Sequence, residues 1–378
     1  MSTPSLALIP SGYKADKVYS VLPANGDGDF DFTRGSTATR VNKDGIIETV
    51  GTNVPRLDYT NSECPSLLLE PQRTQLAGYP TAITSANSYV LTNGTLTAND
   101  STAPDGSLTA STFQSTSANG QFQKLKSASS GVQYSVSVYV KRKTGTGTVY
   151  LRAVENTNTA VTVTDEWTRV SATVTSTSTN VRFGMALATS GDEIFVWGFQ
   201  VEAGSYPTSF IPNADDSEVT RTVDVSKKEN FADMPTDYPF TVYSNNKVDL
   251  INFNQWAWSI LDISSSVKYL GLAFTNSGYI QLHRRNSNND IDSIITTVTQ
   301  GQDFKFAITF LSDTSYRYSI NGGATVTVTG GAIVDFDFND ILIGQQRVVV
   351  DTGYRNTSND FRILNENVTS SELTELTS

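Results

Sequence analysis

A chain of 378 residues with a formal charge of −11 and 17% charged residues is too long for one ordinary domain and predicts two or three, each with its own core. The charged fraction lies below the roughly 25% of typical soluble domains, and the acidic balance excludes a surface that tracks nucleic-acid phosphates, which needs clustered Lys and Arg. A single cysteine, Cys64, and a single histidine, His283, exclude a disulfide framework and a multi-Cys or paired-His metal centre; Cys64, between Glu63 and Pro65, reads as buried and inert.

In chain order, the opening "MSTPSLALIPSGYKADK" lacks the basic start and apolar run of a signal peptide. No apolar run approaches the ~20 residues of a membrane helix, so folding in a cytosol without membrane insertion is expected. Residues 1–73 read as a distinct head, rich in turns, with short strands at Tyr19 to Leu22, Phe30 to Arg34, Ala38 to Asn42 and Ile46 to Val50; Asp44-Gly45 marks a hairpin between the last two. The head is poor in apolar residues, so a partner surface or a second copy has to supply what it lacks. Its Asn25, Asp27 and Asp29 alternate as a calcium loop begins, yet position 6 is Phe30 where glycine belongs and position 12 is Ser36 where Glu belongs. The stretch therefore reads as a strand, with Phe30 and Phe32 on one face and Arg34 and Arg40 available to pair with Asp27, Asp29 or Asp31. No metal and no cofactor are expected.

Residues 74–212 carry longer alternating runs. In "YSVSVYV" the residues Tyr134, Val136, Val138 and Val140 share a face, the mark of a half-buried sandwich strand. "KRKTG" at Lys141 to Gly145 is the one basic cluster and reads as a solvated hairpin tip. Residues 213–239 hold a charge run and several prolines and read as a linker. Residues 240–378 are again strands, with Asn321-Gly322 as a hairpin turn needing positive φ at both positions; Thr369 and Glu372 stand at capping-box spacing for a short terminal helix. The whole is an all-β chain: a small β-rich head followed by two β-sandwich, jelly-roll domains.

Two stretches carry a resemblance. "LPANGDGDFDFTRGSTATRVNKDGIIE", followed by "VPRLDY" and "CPSLLLEPQRTQL", resembles the opening of tailed-bacteriophage virion proteins, and "DEIFVWGFQVEAGSYPTSFIPN" is similar to the end of carbohydrate-binding-module-like jelly rolls in those proteins. Residues 240–378 resemble concanavalin A-like or laminin G-like lectin sandwiches. The resemblance implies a structural component of the virion surface, a fibre, spike or capsid decoration protein assembled in the bacterial host cytoplasm. Its implied partners are other virion proteins (capsid, portal or collar, or tail), further copies of itself in a homotrimer, and host-surface glycans.

For glycan contact, Trp256 and Trp258 fall at alternate positions, so they should share a face, with Tyr269, Tyr279 and His283 on the next strands. For virion anchoring, the candidates are Asp27, Asp29, Phe30, Phe32, Arg34 and Arg40, read as an interface code. Trp167 and Trp197 read as packing residues. Catalysis is not expected: one histidine leaves no base for a serine triad, and "DFDFND" with Asp335, Asp337 and Asp340 departs from the Glu-x-Asp-x-x-Glu of the glucanases that share the lectin fold. The alternatives are a glycan depolymerase using Asp335 and Asp337, or a decoration protein without a ligand. Deletion of residues 1–73 is expected to leave both sandwiches folded.

Overall fold

The computed structural model describes residues 3–60, 62–153, 157–247, 255–261, 268–275, 277–285, 294–299, 301–330, 338–345 and 356–378. The strands pair antiparallel throughout, and the protein is an all-β fold of stacked sheets. Asn321 and Gly322 both take positive φ between Ser315–Ile320 and Val326–Thr329, as the hairpin requires. The helix Ser370–Leu376 begins with the capping box of Thr369 and Glu372. Among the described residues no helix is long and apolar enough to cross a membrane.

The chain divides into two units, and not at residue 73. The first comprises Met1–Thr37, Val50–Gln72 and Thr222–Ser378; the second comprises Ala38–Thr49 and Arg73–Arg221. The expected separate head and the expected linker are both corrected by the way strands pair. Strands of two to four residues cannot hold a core alone, and the head's strands are completed by the C-terminal region of the same chain.

In the first unit, an eight-stranded sheet runs Val326–Thr329, Ser315–Ile320, Asp303–Ser312, Phe240–Lys247, Asn356–Leu364, Ser66–Leu69, Leu57–Asp58, with Leu6–Leu8 also paired to Asn356–Leu364. A nine-stranded sheet runs Tyr13–Lys14, Lys17–Val18, Phe30–Thr33, Val225–Lys228, Asp340–Ile343, Gln255–Leu261, Tyr269–Phe274, Tyr279–Arg285, Ile294–Thr297. Val225–Lys228, inside the expected linker, is thus an interior strand with Ser226 fully buried. One core joins Leu6, Leu8, Phe30, Phe32 and Leu67 of the head to Trp258, Phe306 and Phe361. Cys64, expected to be buried, is exposed, because it lies in the loop between Leu57–Asp58 and Ser66–Leu69.

The same unit encloses four charged side chains without solvent contact. Arg56 donates to Glu70 at 2.7 Å and to Asp224, and Arg34 donates to the other oxygen of Asp224 at 3.1 Å. Arg34 also donates to the carbonyls of Ser36, Gly51 and Val54, so its guanidinium closes the loop around residue 51. Two cations and two anions balance, and backbone groups add hydrogen bonds to Arg34 and Asp224, the condition under which buried charges are tolerated.

The second unit is a sandwich of two five-stranded sheets. One runs Val90–Thr92, Gly120–Ser127, Asn180–Leu187, Val149–Ala153, Thr157–Val161; the other runs Gly94–Ser101, Ala110–Ser115, Glu193–Ala203, Gln133–Thr144, Thr168–Thr175. Tyr134, Val136, Val138 and Val140 face the core between them, as their alternation predicts, together with Phe113, Phe122, Phe183 and Phe199. The hairpin Ala38–Val41 and Ile47–Val50 turns at Gly45, whose φ is +76°, while the Asn42 side-chain oxygen accepts from the amides of Asp44 and Ile46.

Candidate functional site

The residues singled out in the head serve contacts within the chain. Phe30 and Phe32 are fully buried in the first unit's core, so they are not an exposed anchor. Asp29 accepts from the amide and hydroxyl of Ser20 at 2.9 and 3.3 Å. Asp27 closes a local turn with Asn25, Arg34 belongs to the buried charge network, and Arg40 pairs with Glu48 at 2.7 Å across its hairpin.

The expected aromatic platform is divided by a β-bulge. Trp256 stands opposite Ala273 and Trp258 opposite Leu272, so Ala257 is an extra residue and the two indoles leave the strand on opposite faces. Trp258 points into the core and donates its indole N–H to Ser244 Oγ at 3.1 Å. Trp256, Tyr269 and His283 do meet on the other face, with ring centroids 4.7 Å (Trp256 to His283) and 5.6 Å (Trp256 to Tyr269) apart. Trp256 and Tyr269 are nonetheless 7% and 3% exposed, so their rings are packed rather than displayed. Tyr279 is 39% exposed and makes no ring contact among the described residues. Asp335 and Asp337 lie outside the described residues; Asp340 is buried and accepts the amide of Asn230 at 2.9 Å.

An open cleft of about 630 Å³ lies in the second unit. Its floor is Trp197 and Phe210, with ring centroids 4.7 Å apart, and the Trp197 indole is fixed by donating to Thr109 Oγ1 at 3.0 Å. One wall is the hairpin, which contributes Thr39, Ile46, Glu48 and Thr49; the other is Pro212, Asn213 and Ala214, with Thr81 and Asp105 at the rim. Thr39 donates to the Phe210 carbonyl and the Ile47 amide to the Pro104 carbonyl, which seats the hairpin on the sandwich. Ile46 remains 38% exposed. The hydroxyls of Thr49 and Thr81 make no hydrogen bond among the described residues.

The stretch "GFQVEAGSYPTSFIPN" builds the second wall through a buried polar network. Gln200 donates to the carbonyls of Thr208 and Ser209 at 3.2 and 3.1 Å, and its side-chain oxygen accepts from Ile211 at 2.7 Å. Glu202 accepts from the Thr208 amide at 2.8 Å and hydroxyl at 3.1 Å. These bonds hold residues 208–211 against the sheet and so press Phe210 onto Trp197. Burial pushes the Glu202 carboxyl above its ordinary range, opposed by the guanidiniums of Arg169, Arg221 and Arg73 and by the Thr208 amide. The alternation of Gln200 and Glu202 on one strand face is the mark of this network in the sequence.

No protein-family profile matches this chain, and no curated protein matches it. Among solved structures it is similar to the CBM40 of the Ruminococcus gnavus IT-sialidase, at 15% identity and a TM-score of 0.33, over 38% of this chain and 84% of that one. It is similar to a mutant Trypanosoma rangeli sialidase displaying trans-sialidase activity, at 15% identity and a TM-score of 0.33, over 40% of this chain and 25% of that one. A leech intramolecular trans-sialidase is similar at 17% identity and a TM-score of 0.31, over 38% of this chain and 23% of that one.

Proposed function

We propose that this chain is a non-catalytic structural protein of a tailed-bacteriophage virion, displayed on the particle surface as a homotrimer, whose second unit binds host-surface glycans in the cleft floored by Trp197 and Phe210. One observation carries the reading. The stretch after Asn25 and the stretch before Asn213, which resemble virion proteins at the level of sequence, form the two facing walls of that single cleft. Its size and its mixture of apolar lining and polar rim suit a sugar, since pockets of ~300–1,000 Å³ with a few placed polar groups are the usual small-ligand site. Ile46, 38% exposed at the cleft wall, offers the sugar an apolar contact while Thr49, Thr81 and Asp105 meet its hydroxyls. Three copies would turn individually weak contacts into firm attachment.

The test is glycan-array binding by the full chain, beside a Thr49→Ala/Thr81→Val variant. Loss of most binding in the variant is expected; wild-type binding that the variant retains in full would sink the cleft assignment, and no binding at all would favour a purely structural decoration protein. Release of oligosaccharides from a bound polysaccharide would refute the non-catalytic part. Antibody labelling of intact particles checks the virion part, which fails if purified particles lack the chain.

A further inference from the structure

The charges around the cleft are of one sign. Among the described residues, Glu48 and Asp105 line it, and no Lys, Arg or His does. The two acids are not equivalent. Glu48 is committed within its hairpin, where one oxygen accepts from Arg40 Nε at 2.7 Å and the other from Asn42 Nδ2 at 3.4 Å. Asp105 pairs with no cation among the described residues. Its Oδ1 accepts the Ser107 amide at 3.0 Å and the Ser107 hydroxyl at 2.6 Å, and its Oδ2 accepts no hydrogen bond from any described residue.

Local sequence holds the Asp105 carboxylate in place. Ala103-Pro104-Asp105-Gly106 is a tight turn, closed by the Gly106 amide on the Ala103 carbonyl at 2.9 Å, with Gly106 at a φ of +79°. The Pro104 carbonyl accepts the Ile47 amide at 3.0 Å, which ties the turn to the hairpin wall. A chain of hydrogen bonds runs from Trp197 to the acid: Trp197 Nε1 to Thr109 Oγ1 at 3.0 Å, Thr109 Oγ1 to Ser107 Oγ at 2.6 Å, and Ser107 Oγ to Asp105 Oδ1 at 2.6 Å. An indole N–H only donates and each hydroxyl has one proton, so with Ser107 donating to Asp105, Thr109 donates to Ser107. Every donor in the chain therefore points toward the acid, and the bonds polarise one another in the same sense. Oδ1 is fixed, and Oδ2 keeps its lone pairs for a ligand.

We infer, resting on the cleft as the sugar site, that its ligand is a hexosamine with a free amine, whose ammonium is held by Asp105 Oδ2, and that sugars bearing a carboxylate are rejected. An ammonium on a carboxylate makes a charge-assisted hydrogen bond, stronger than one from a hydroxyl. An acidic sugar would bring a second negative charge beside Asp105 with no cation in the lining to offset it, and like charges placed together are how a site turns away a wrong partner.

The experiment is calorimetric titration of the full chain with a glucosamine trisaccharide, its N-acetylated form and a galacturonate trisaccharide, at about pH 6 so that the amines carry their protons. The amine form should bind about tenfold or more tightly than the acetylated form, an advantage that shrinks as salt rises, and galacturonate should bind more weakly than either. Asp105→Asn keeps an acceptor for Ser107 but removes the charge, so the amine and acetylated forms should then bind alike. Ser107→Ala removes the bond that positions the carboxylate and should narrow the ratio by a smaller factor; where Asp105→Asn binds neither form, this ratio decides. Equal affinity of the wild type for the amine and acetylated forms, a preference that survives Asp105→Asn, or galacturonate as the tightest ligand would overturn the inference. Each of these leaves the cleft itself standing if Thr49→Ala/Thr81→Val weakens whatever binds. Binding that this double variant leaves unchanged, or no binding of any of the three sugars, would remove the cleft assignment and the inference together.

Discussion

Arg34 donates to Asp224 at 3.1 Å across 190 positions of sequence, and both side chains are closed to solvent. The Asp224 carboxylate also receives Arg56 and the Glu70 amide, so three segments of chain converge on one anion. Asp224→Ala would leave two buried guanidiniums with one carboxylate between them. Removing one partner of a buried pair costs about 3–5 kcal/mol, and urea denaturation of the first unit should show a loss of that order. A loss under about 1 kcal/mol would mean that water relieves the orphaned charges.

The same convergence predicts the outcome of truncation. Deleting residues 1–73 removes Arg34, Arg56 and Glu70, six strands of the first unit's sheets, and the hairpin that walls the cleft. The truncated chain should be insoluble or bind a dye for exposed apolar surface, in contrast to the free-standing sandwiches that sequence alone suggests. A soluble truncated protein with a cooperative melt would show that the head is dispensable for folding.

Much of this architecture was legible, and the failures have a common cause. Alternation is local, so it located the strands, the Asn321-Gly322 turn and the Thr369 cap, and it placed Val136 to Val140 on the core face. Pairing between distant strands is not local. Nothing near Val225 announces that it will lie between Phe30–Thr33 and Asp340–Ile343, and a short charged strand reads as a linker. Nor does a period of two survive a bulge, which is why alternation alone puts Trp256 and Trp258 on one face. The cleft is not legible in the sequence because its walls come from residues 39–49 and 210–214, and Trp197 is both a packing residue, as expected, and part of the site's lining.

The bulge at Ala257 separates the effects of the two tryptophans. Trp258→Ala opens a cavity in the first unit's core and strands the Ser244 hydroxyl, at a cost of about 3–5 kcal/mol, so its chemical-denaturation midpoint should fall sharply. Trp256→Ala removes ring contacts with Tyr269 and His283 on the far face and should cost less. Equal losses would show that the two rings share one environment, contrary to the register.

Acid should loosen the second unit through Asp216. Its carboxylate accepts from Lys124 at 2.6 Å and from Lys126 at 3.0 Å. The hydrogen bond from Lys124 is the largest cause that holds its pKa below the ordinary 3.8. A carboxylate depressed on folding contributes stability that is complete above its unfolded pKa and disappears as pH falls below 3.8 through the folded value. Lys124 is 3% exposed on its side chain and lies over the rings of Tyr79 and Tyr89, so protonating Asp216 leaves a buried ammonium with only the Gly78 and Asn87 carbonyls. Melting temperatures of wild type and Asp216→Asn should therefore differ near neutrality and converge in acid. Gly78→Ala should mimic the substitution, because its Cβ would fall 1.8 Å from the Asp216 carboxylate oxygen and force the acid off Lys124. If Gly78→Ala keeps the wild-type acid dependence, the backbone yields instead and the Lys124 to Asp216 bond survives the added methyl group.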